Sequence, residues 1–418
     1  MTSAAVLARG APRACAPAAA GSATLRVLTL TSLFPSVARP RHGIFVETRL
    51  AHLLRARPEV DARVVAPVPW FPFQGSAFGQ YGRFAATPRR TTRDNGLQVL
   101  HPRYLMLPKL GVAMQPDNMA RAALRDIAAL ARTGWQPDLI DAHYFYPDGV
   151  AAAIVAQRLG LPFVVTARGT DVNVLGRLPG SGERIRWAAQ RAAAVVAVST
   201  RLKEALVELG VEAAKVTVLR NGVDFELFQP EDRSAARQAL GLAGPGRLAA
   251  CVGNLVPEKG FALAIEALPS LPQWQLVLVG EGPQRGELEA LAQRLGVAGR
   301  VSFRPSMPQQ ALRRVYSAAD VLLLTSLREG WPNVVLEAMA CGTPVVAVDV
   351  GAVGEMITRP EVGRIVATRD RDTLAAAVQE LFVQPQAAAL VRTHAAQFDW
   401  ASVSQGQWDL FSAHARGR

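Results

Sequence analysis

The apolar residues of this chain come in short runs, each followed by a longer amphipathic stretch, and the series is run through twice. The first round has runs at 25–30, 139–141, 163–166, 194–198 and 216–219. The second has runs at 247–252, 275–279, 301–303, 321–324 and 345–348. Such runs are too short for buried helices and are apolar throughout rather than alternating, which marks strands covered on both faces. Strands of that kind lie parallel, and parallel neighbours need a helical crossover between them. Two parallel α/β domains are therefore expected, and 418 residues suffice for two full cores. The first round opens with a strand, a loop to Gly43 and a helix over 44–57. The stretch 221–246 holds Pro230, Gly241, Gly244, Pro245 and Gly246 and reads as the connection between rounds. The expected division is a tail over 1–24, a first domain over 25–220, a second over 221–398, and a closing helix within 399–418. Residues 67–116, rich in Pro, Gly and aromatics without periodicity, read as an insertion or long loop region.

No apolar run approaches the roughly 20 residues of a membrane span. The Ala-rich residues 1–24 carry Arg9 and Arg13 but lack a continuous apolar segment, so a tail is expected rather than a signal peptide. Cys15, Cys251 and Cys341 are odd in number and far apart, which argues against a disulfide framework or zinc site and fits a reducing cytoplasm. The net charge of +12 is uneven: residues 1–220 hold 28 Lys/Arg against 14 Asp/Glu, and residues 221–418 hold 18 against 20. A basic first domain suggests an anionic partner, such as lipid headgroups or a lipid-linked pyrophosphate, with the protein peripheral on the inner face of the membrane. No nucleic-acid-binding motif accompanies the charge.

The chemistry concentrates at strand ends. Glu329-Gly330-Trp331-Pro332-Asn333-Val334 leads into a helix that carries Glu337 and stops at Gly342. An acid, a helix N-terminus and a second acid suit a sugar nucleotide: one carboxylate for sugar hydroxyls, backbone N–H groups for the diphosphate, the other carboxylate for ribose. Gly253-Asn254-Leu255-Val256-Pro257-Glu258-Lys259-Gly260 follows the first strand of the second round, and Lys259 can set a point charge beside a diphosphate. Gly280-Glu281 closes the next strand and permits a close backbone approach. In the first round, Asp141-Ala142-His143 and Ala167-Arg168-Gly169-Thr170-Asp171 end strands, and Gly43 precedes the first helix. An ion pair between Arg168 and Asp171 is as open as a ligand contact. Asp370-Arg371-Asp372 has the spacing of a metal motif but precedes a helical pattern over 374–381, so Asp372 is expected as a helix cap and no metal site is expected.

The stretch 329–347, with Lys259 and the Gly43–Glu47 segment, closely resembles the donor-site signature of retaining glycosyltransferases of family 4. That resemblance spans about residues 25–415. It implies the GT-B fold: two Rossmann-like, doubly wound domains facing across a cleft, with a C-terminal helix crossing back to the first. It implies a nucleotide-diphosphate sugar as co-substrate, no separate cofactor, a donor held by the second domain, and a glycan or lipid-linked acceptor on the first, fitting cell-surface polysaccharide synthesis. Retention in this family is explained by same-face attack, with the leaving phosphate taking the acceptor proton. The implied catalytic set is His143, Lys259 and Glu329. The implied donor contacts are Gly43, Gly253, Asn254, Lys259, Gly280, Glu281, Glu329, Gly330, Trp331, Pro332, Asn333, Val334 and Glu337, with Arg168 and Asp171 toward a phosphate or acceptor. Three departures stand out: Asn254 where an arginine is usual, Arg168 where a histidine is usual, and Pro305 where a glycine is usual in the loop beside the base. A sugar-nucleotide epimerase of the same fold, which would turn over without an acceptor, and a catalytically weak nucleotide- or glycan-binding protein are the competing classes.

Overall fold

The structure, a computed structural model, describes residues 24–106, 113–242, 244, 246–383 and 387–416. The tail expected over 1–24 lies outside the described residues, Thr24 excepted. Strands β1 (Leu25–Leu30), β2 (Val60–Val65), β3 (Val68–Pro69), β4 (Arg90–Thr92), β5 (Gln98–Leu100), β6 (Arg103–Tyr104), β7 (Leu139–His143), β8 (Phe163–Ala167), β9 (Ala194–Ala197) and β10 (Val216–Val218) belong to the first half. Strands β11 (Arg247–Val252), β12 (Trp274–Val279), β13 (Val301–Arg304), β14 (Val321–Leu324), β15 (Val345–Val348) and β16 (Gly363–Val366) belong to the second. The first sheet runs β10-β9-β8-β7-β1-β2-β5-β4, parallel except for β4 against β5, and the second runs β13-β12-β11-β14-β15-β16, parallel throughout. Counted within its own half, the second sheet has the order 3-2-1-4-5-6 of a dinucleotide-binding domain. The apolar runs behave as their composition requires: every residue of β7, β8, β14 and β15 is buried, because helices cover both faces.

Residues 67–116 are not a plain loop. They form the β3–β6 pair, a helix over Gly79–Ala86, and β5, which adds to the main sheet beside β2. Two- and three-residue strands are too short to show alternation, so their pairing comes from the neighbouring strand. The connection 221–246 also contains a helix, Arg233–Ala239, capped by Asp232, whose Oδ1 accepts from the Ala235 N–H at 2.8 Å. Arg237 ties this helix to the second half through Asp320 at 2.5 Å. The helix expected to begin at Asp372 starts earlier. Asp370 is the cap and accepts from the Asp372 and Thr373 N–H groups, leaving Asp372 in the first turn of Arg371–Leu381.

The closing helix, Trp400–His414, crosses back onto the first half and lies along Ile44–Ala56. Arg49 is fully buried there. Its Nε donates to Gln407 Oε1 at 3.2 Å and its Nη1 to the Leu219 carbonyl at 3.3 Å. His52 stacks on Trp400 with ring centroids 5.1 Å apart. The C-terminal ends of the two sheets face each other, and their backbones meet where Gly330 sits against Arg168 and Gly169. A Cβ on Gly330 would stand 2.0 Å from the Arg168 carbonyl oxygen, so only glycine allows this approach.

Candidate active site

On the second half, β14 ends in the loop that carries Glu329, and the helix Asn333–Ala340 follows. The turn after β11 brings Lys259 to the same place. Lys259 Nζ lies 2.6 Å from Glu329 Oε1, which also accepts from Ser326 Oγ at 2.6 Å. Across the cleft, β8 ends at Ala167 and delivers Arg168. Its Nη2 donates to His143 Nδ1 at 2.7 Å, its Nη1 donates to Asn221 Oδ1 at 3.0 Å, and its guanidinium lies 4.8 Å from the Phe45 ring centre. Asn221 Nδ2 in turn donates to Asn333 Oδ1 at 3.2 Å, so the chain of hydrogen bonds crosses from one half to the other.

Together these residues line a cavity of about 280 Å³ between the halves, its walls including Phe45, Arg168, Asn221, Lys259, Glu329 and Asn333, with Gly330 and Trp331 beside them. Burial pushes the Arg168 guanidinium down to about 9, with Arg49 adding repulsion. Its Nε and the Trp331 indole Nε1 are buried with no hydrogen-bond partner among the described residues. Buried donors of this kind are costly to leave unpaired, and both belong to residues that line this cavity.

Other expected residues lie elsewhere. His143 is about 1% exposed and sits behind Arg168 rather than on the cavity wall: Nε2 faces Asp141 Oδ2 at 3.0 Å while Nδ1 accepts from Arg168. Both ring nitrogens are engaged, which defines a neutral ring with its proton on Nε2, and burial holds its pKa below the usual histidine range. The ion pair entertained between Arg168 and Asp171 is not formed by the side chain. Asp171 instead accepts from the backbone N–H groups of Phe145, Arg168 and Gly169, at 2.8, 3.1 and 2.8 Å, and shapes the loop. Glu337 lines a second cavity of about 290 Å³, which shares Phe45 and Asn333 with the first. It accepts from Tyr316 OH at 2.6 Å, and burial raises its pKa against that bond. Asn254 is exposed and Glu281 faces Arg41 of the first half at 3.8 Å; neither these two nor Gly43, Gly253 and Gly280 line the first cavity. Gly43 starts the helix that carries Phe45, and a Cβ there would stand 2.2 Å from the Leu33 carbonyl. Pro332 and Val334 flank Asn333 and set the start of its helix. Phe45 and Asn221 were missed by motif reasoning. Asn221 falls in the connection between domains, where only its place after β10 distinguishes it.

A third cavity, of about 270 Å³, belongs to the first half alone. Its walls include Ser32, Arg39, His42, His101, Tyr104 and Gln115. Asp148 is buried beneath it, and the Ser32 N–H and hydroxyl both donate to its carboxylate. Burial pushes the Asp148 carboxyl up to about 7. A carboxyl whose pKa is higher folded than unfolded adds stability at low pH and loses it as pH rises through the folded value. Between pH 5 and 8 the chain should therefore lose about 2–3 kcal/mol from this group. Thermal unfolding should show Asp148→Asn gaining on the wild type over that interval. A constant difference at the two pH values would show that Asp148 is ionised throughout.

Residues 232–397 match the family described as glycosyl transferases group 1, and residues 84–227 match glycosyltransferase family 4. A Bacillus subtilis protein named for teichuronic acid biosynthesis, the glycosyltransferase TuaC, is 32% identical over 90% of this chain and 95% of its own length. A D-inositol 3-phosphate glycosyltransferase of Acidothermus cellulolyticus is 34% identical over 72% of each chain. Among solved structures, sucrose-phosphate synthase from Thermosynechococcus elongatus superposes with a TM-score of 0.77 at 22% identity, covering 93% of this chain and 98% of its own. Anabaena HepE in complex with UDP-glucose gives 0.68 at 24%, covering 93% and 99%. Two parallel α/β halves with a charged cavity between their C-terminal sheet ends define a GT-B protein. The chain belongs to the group 1 glycosyltransferases of family 4.

Proposed function

We propose that this glycosyltransferase moves a sugar, with retention, from a nucleoside-diphosphate sugar to a glycan or lipid-linked acceptor in cell-surface polysaccharide assembly, at the inner face of the cell membrane. The observation that carries this reading is the cavity wall itself: Lys259, paired with Glu329, stands on it opposite Arg168, two cations beside one carboxylate. Lys259 and Arg168 neutralise the diphosphate as negative charge grows on the leaving group, so that no metal ion is needed. Arg168, from the first domain, supplies the guanidinium that Asn254 does not. Glu329 accepts hydroxyls of the transferred sugar, and Glu337, in the adjoining cavity, accepts those of the ribose. The sugar's anomeric carbon–oxygen bond to the phosphate breaks, the acceptor oxygen bonds to the same face, and its proton passes to the leaving phosphate oxygen. His143 acts as a positioning residue, holding Arg168 through a fixed tautomer. The relative's link to teichuronic acid and the UDP-glucose bound by the Anabaena protein support the donor and acceptor classes.

Calorimetry with UDP, GDP, ADP and dTDP, in EDTA and in magnesium, tests the donor half. One diphosphate is expected to bind in EDTA, with the affinity lost in Lys259→Ala. Binding that appears only with magnesium, or no binding of any of the four, would refute the metal-independent donor site.

A further inference from the structure

Strand β7 ends in two buried polar side chains that its place in the sheet does not call for. Alternate residues of Leu139–His143 share one face. Leu139 packs there with Val46, Leu50 and Leu53 of the helix Ile44–Ala56 and with Phe411 of the closing helix. Asp141 and His143 follow on that face, and both are buried. The strand is interior to its sheet, with Asp141 paired to Thr29 of β1 and to Val164 of β8. A carboxylate in an apolar layer is costly unless hydrogen bonds and opposite charge compensate it.

The compensation runs toward the cleft. Asp141 Oδ2 accepts from His143 Nε2 at 3.0 Å, and His143 Nδ1 accepts from Arg168 Nη2 at 2.7 Å. On the helix side, Arg49 is buried, with its Nε on Gln407 of the closing helix. The Asp141 charge favours the charged form of both Arg49 and Arg168. Asp171, the other carboxylate acting on Arg168, is already engaged by the N–H groups of Phe145, Arg168 and Gly169. A counter-ion for Arg49 alone needs no imidazole between itself and the donor cavity. A carboxylate on one ring nitrogen makes the opposite nitrogen a stronger acceptor, and Nδ1 is the one that Arg168 uses. We propose that Asp141 is a positioning residue for the transfer, acting through His143 to hold the Arg168 guanidinium in place against the donor diphosphate. Asp141 does not itself line the donor cavity. This role rests on the transferase reading, because Arg168 is the group that meets the diphosphate there.

The test is a double-mutant cycle on the full chain, read by calorimetry with UDP, GDP, ADP and dTDP. Asp141→Asn keeps the shape and removes the charge. Affinity for the diphosphate that the wild type binds should fall about tenfold. In an Arg168→Ala background the same change should alter it by less than about twofold. A purely structural aspartate would instead lower thermal stability and leave the affinity alone, and a bare negative charge beside the cleft would tighten binding when removed. Either result, or equal losses in the two backgrounds, would overturn the proposal. Nitrogen NMR of the wild type decides the matter even if Asp141→Asn does not fold. The His143 ring should be neutral with its proton on Nε2, and a ring protonated on Nδ1 or on both nitrogens would also overturn the proposal. No binding of any diphosphate by the wild type would sink the transferase reading, whereas a failed cycle sinks only the role of Asp141.

Discussion

Lys259→Ala is expected to lower sugar transfer by about 10²–10³-fold in a chain that still folds. Lys259 is the cation nearest Glu329, at 2.6 Å, and it stands on a turn after β11 that its side chain does not hold together. Its loss removes positive charge from the leaving diphosphate. It also leaves the Glu329 carboxylate, whose side chain is 11% exposed, facing the donor with the Ser326 hydroxyl beside it and no cation paired to it among the described residues. Repulsion between that carboxylate and the diphosphate adds to the loss. Initial transfer rates, with thermal unfolding as the control, give the measurement. Lys259→Arg should recover part of the rate, since the charge returns in a different shape. A rate within about threefold of wild type in Lys259→Ala would remove this lysine from the reaction.

Arg168→Ala should cost about 10²-fold in kcat/KM, and Arg168→Lys should restore little of it. The guanidinium is held by three neighbours at once: His143 Nδ1, Asn221 Oδ1 and the Phe45 face. An ammonium cannot reproduce that fork. The same arrangement separates two roles for His143. If His143 acts through Arg168, then His143→Ala is harmful alone but adds little in the Arg168→Ala background. Losses that multiply in the double variant would instead place the imidazole against the substrate.

Much of the fold was legible because its signals are local. A run such as Val321–Leu324 is buried on both faces, and its composition says so without any partner being known. The helix after it is bracketed by Pro332 and Gly342, with Gly342 at φ +80° past its end. The segment 67–116 was illegible for the opposite reason. Gln98–Leu100 is a strand because β2 lies beside it, and three residues show no period of their own. The Asp370 cap was misplaced by two residues because either aspartate suits a helix start, and only the backbone path selects between them.

The same division runs through the site. By itself the sequence determined two parallel α/β domains, the strand-end positions of Lys259, Glu329, His143 and Arg168, and the family they belong to. Each of these depends on residues close together in the chain, because a strand, its following loop and the next helix are contiguous. The tertiary structure alone decided which groups meet. Lys259 and Glu329 are 70 residues apart, and Arg168 reaches Asn221 across 53. His143 went behind Arg168, Asp171 turned to backbone N–H groups, and Glu337 took a hydrogen bond from buried Tyr316 and lines a separate cavity. Those pairings follow from how two sheets face one another and from which buried donor finds the nearest acceptor. Such distances are set by packing between domains, and no spacing along the chain encodes them.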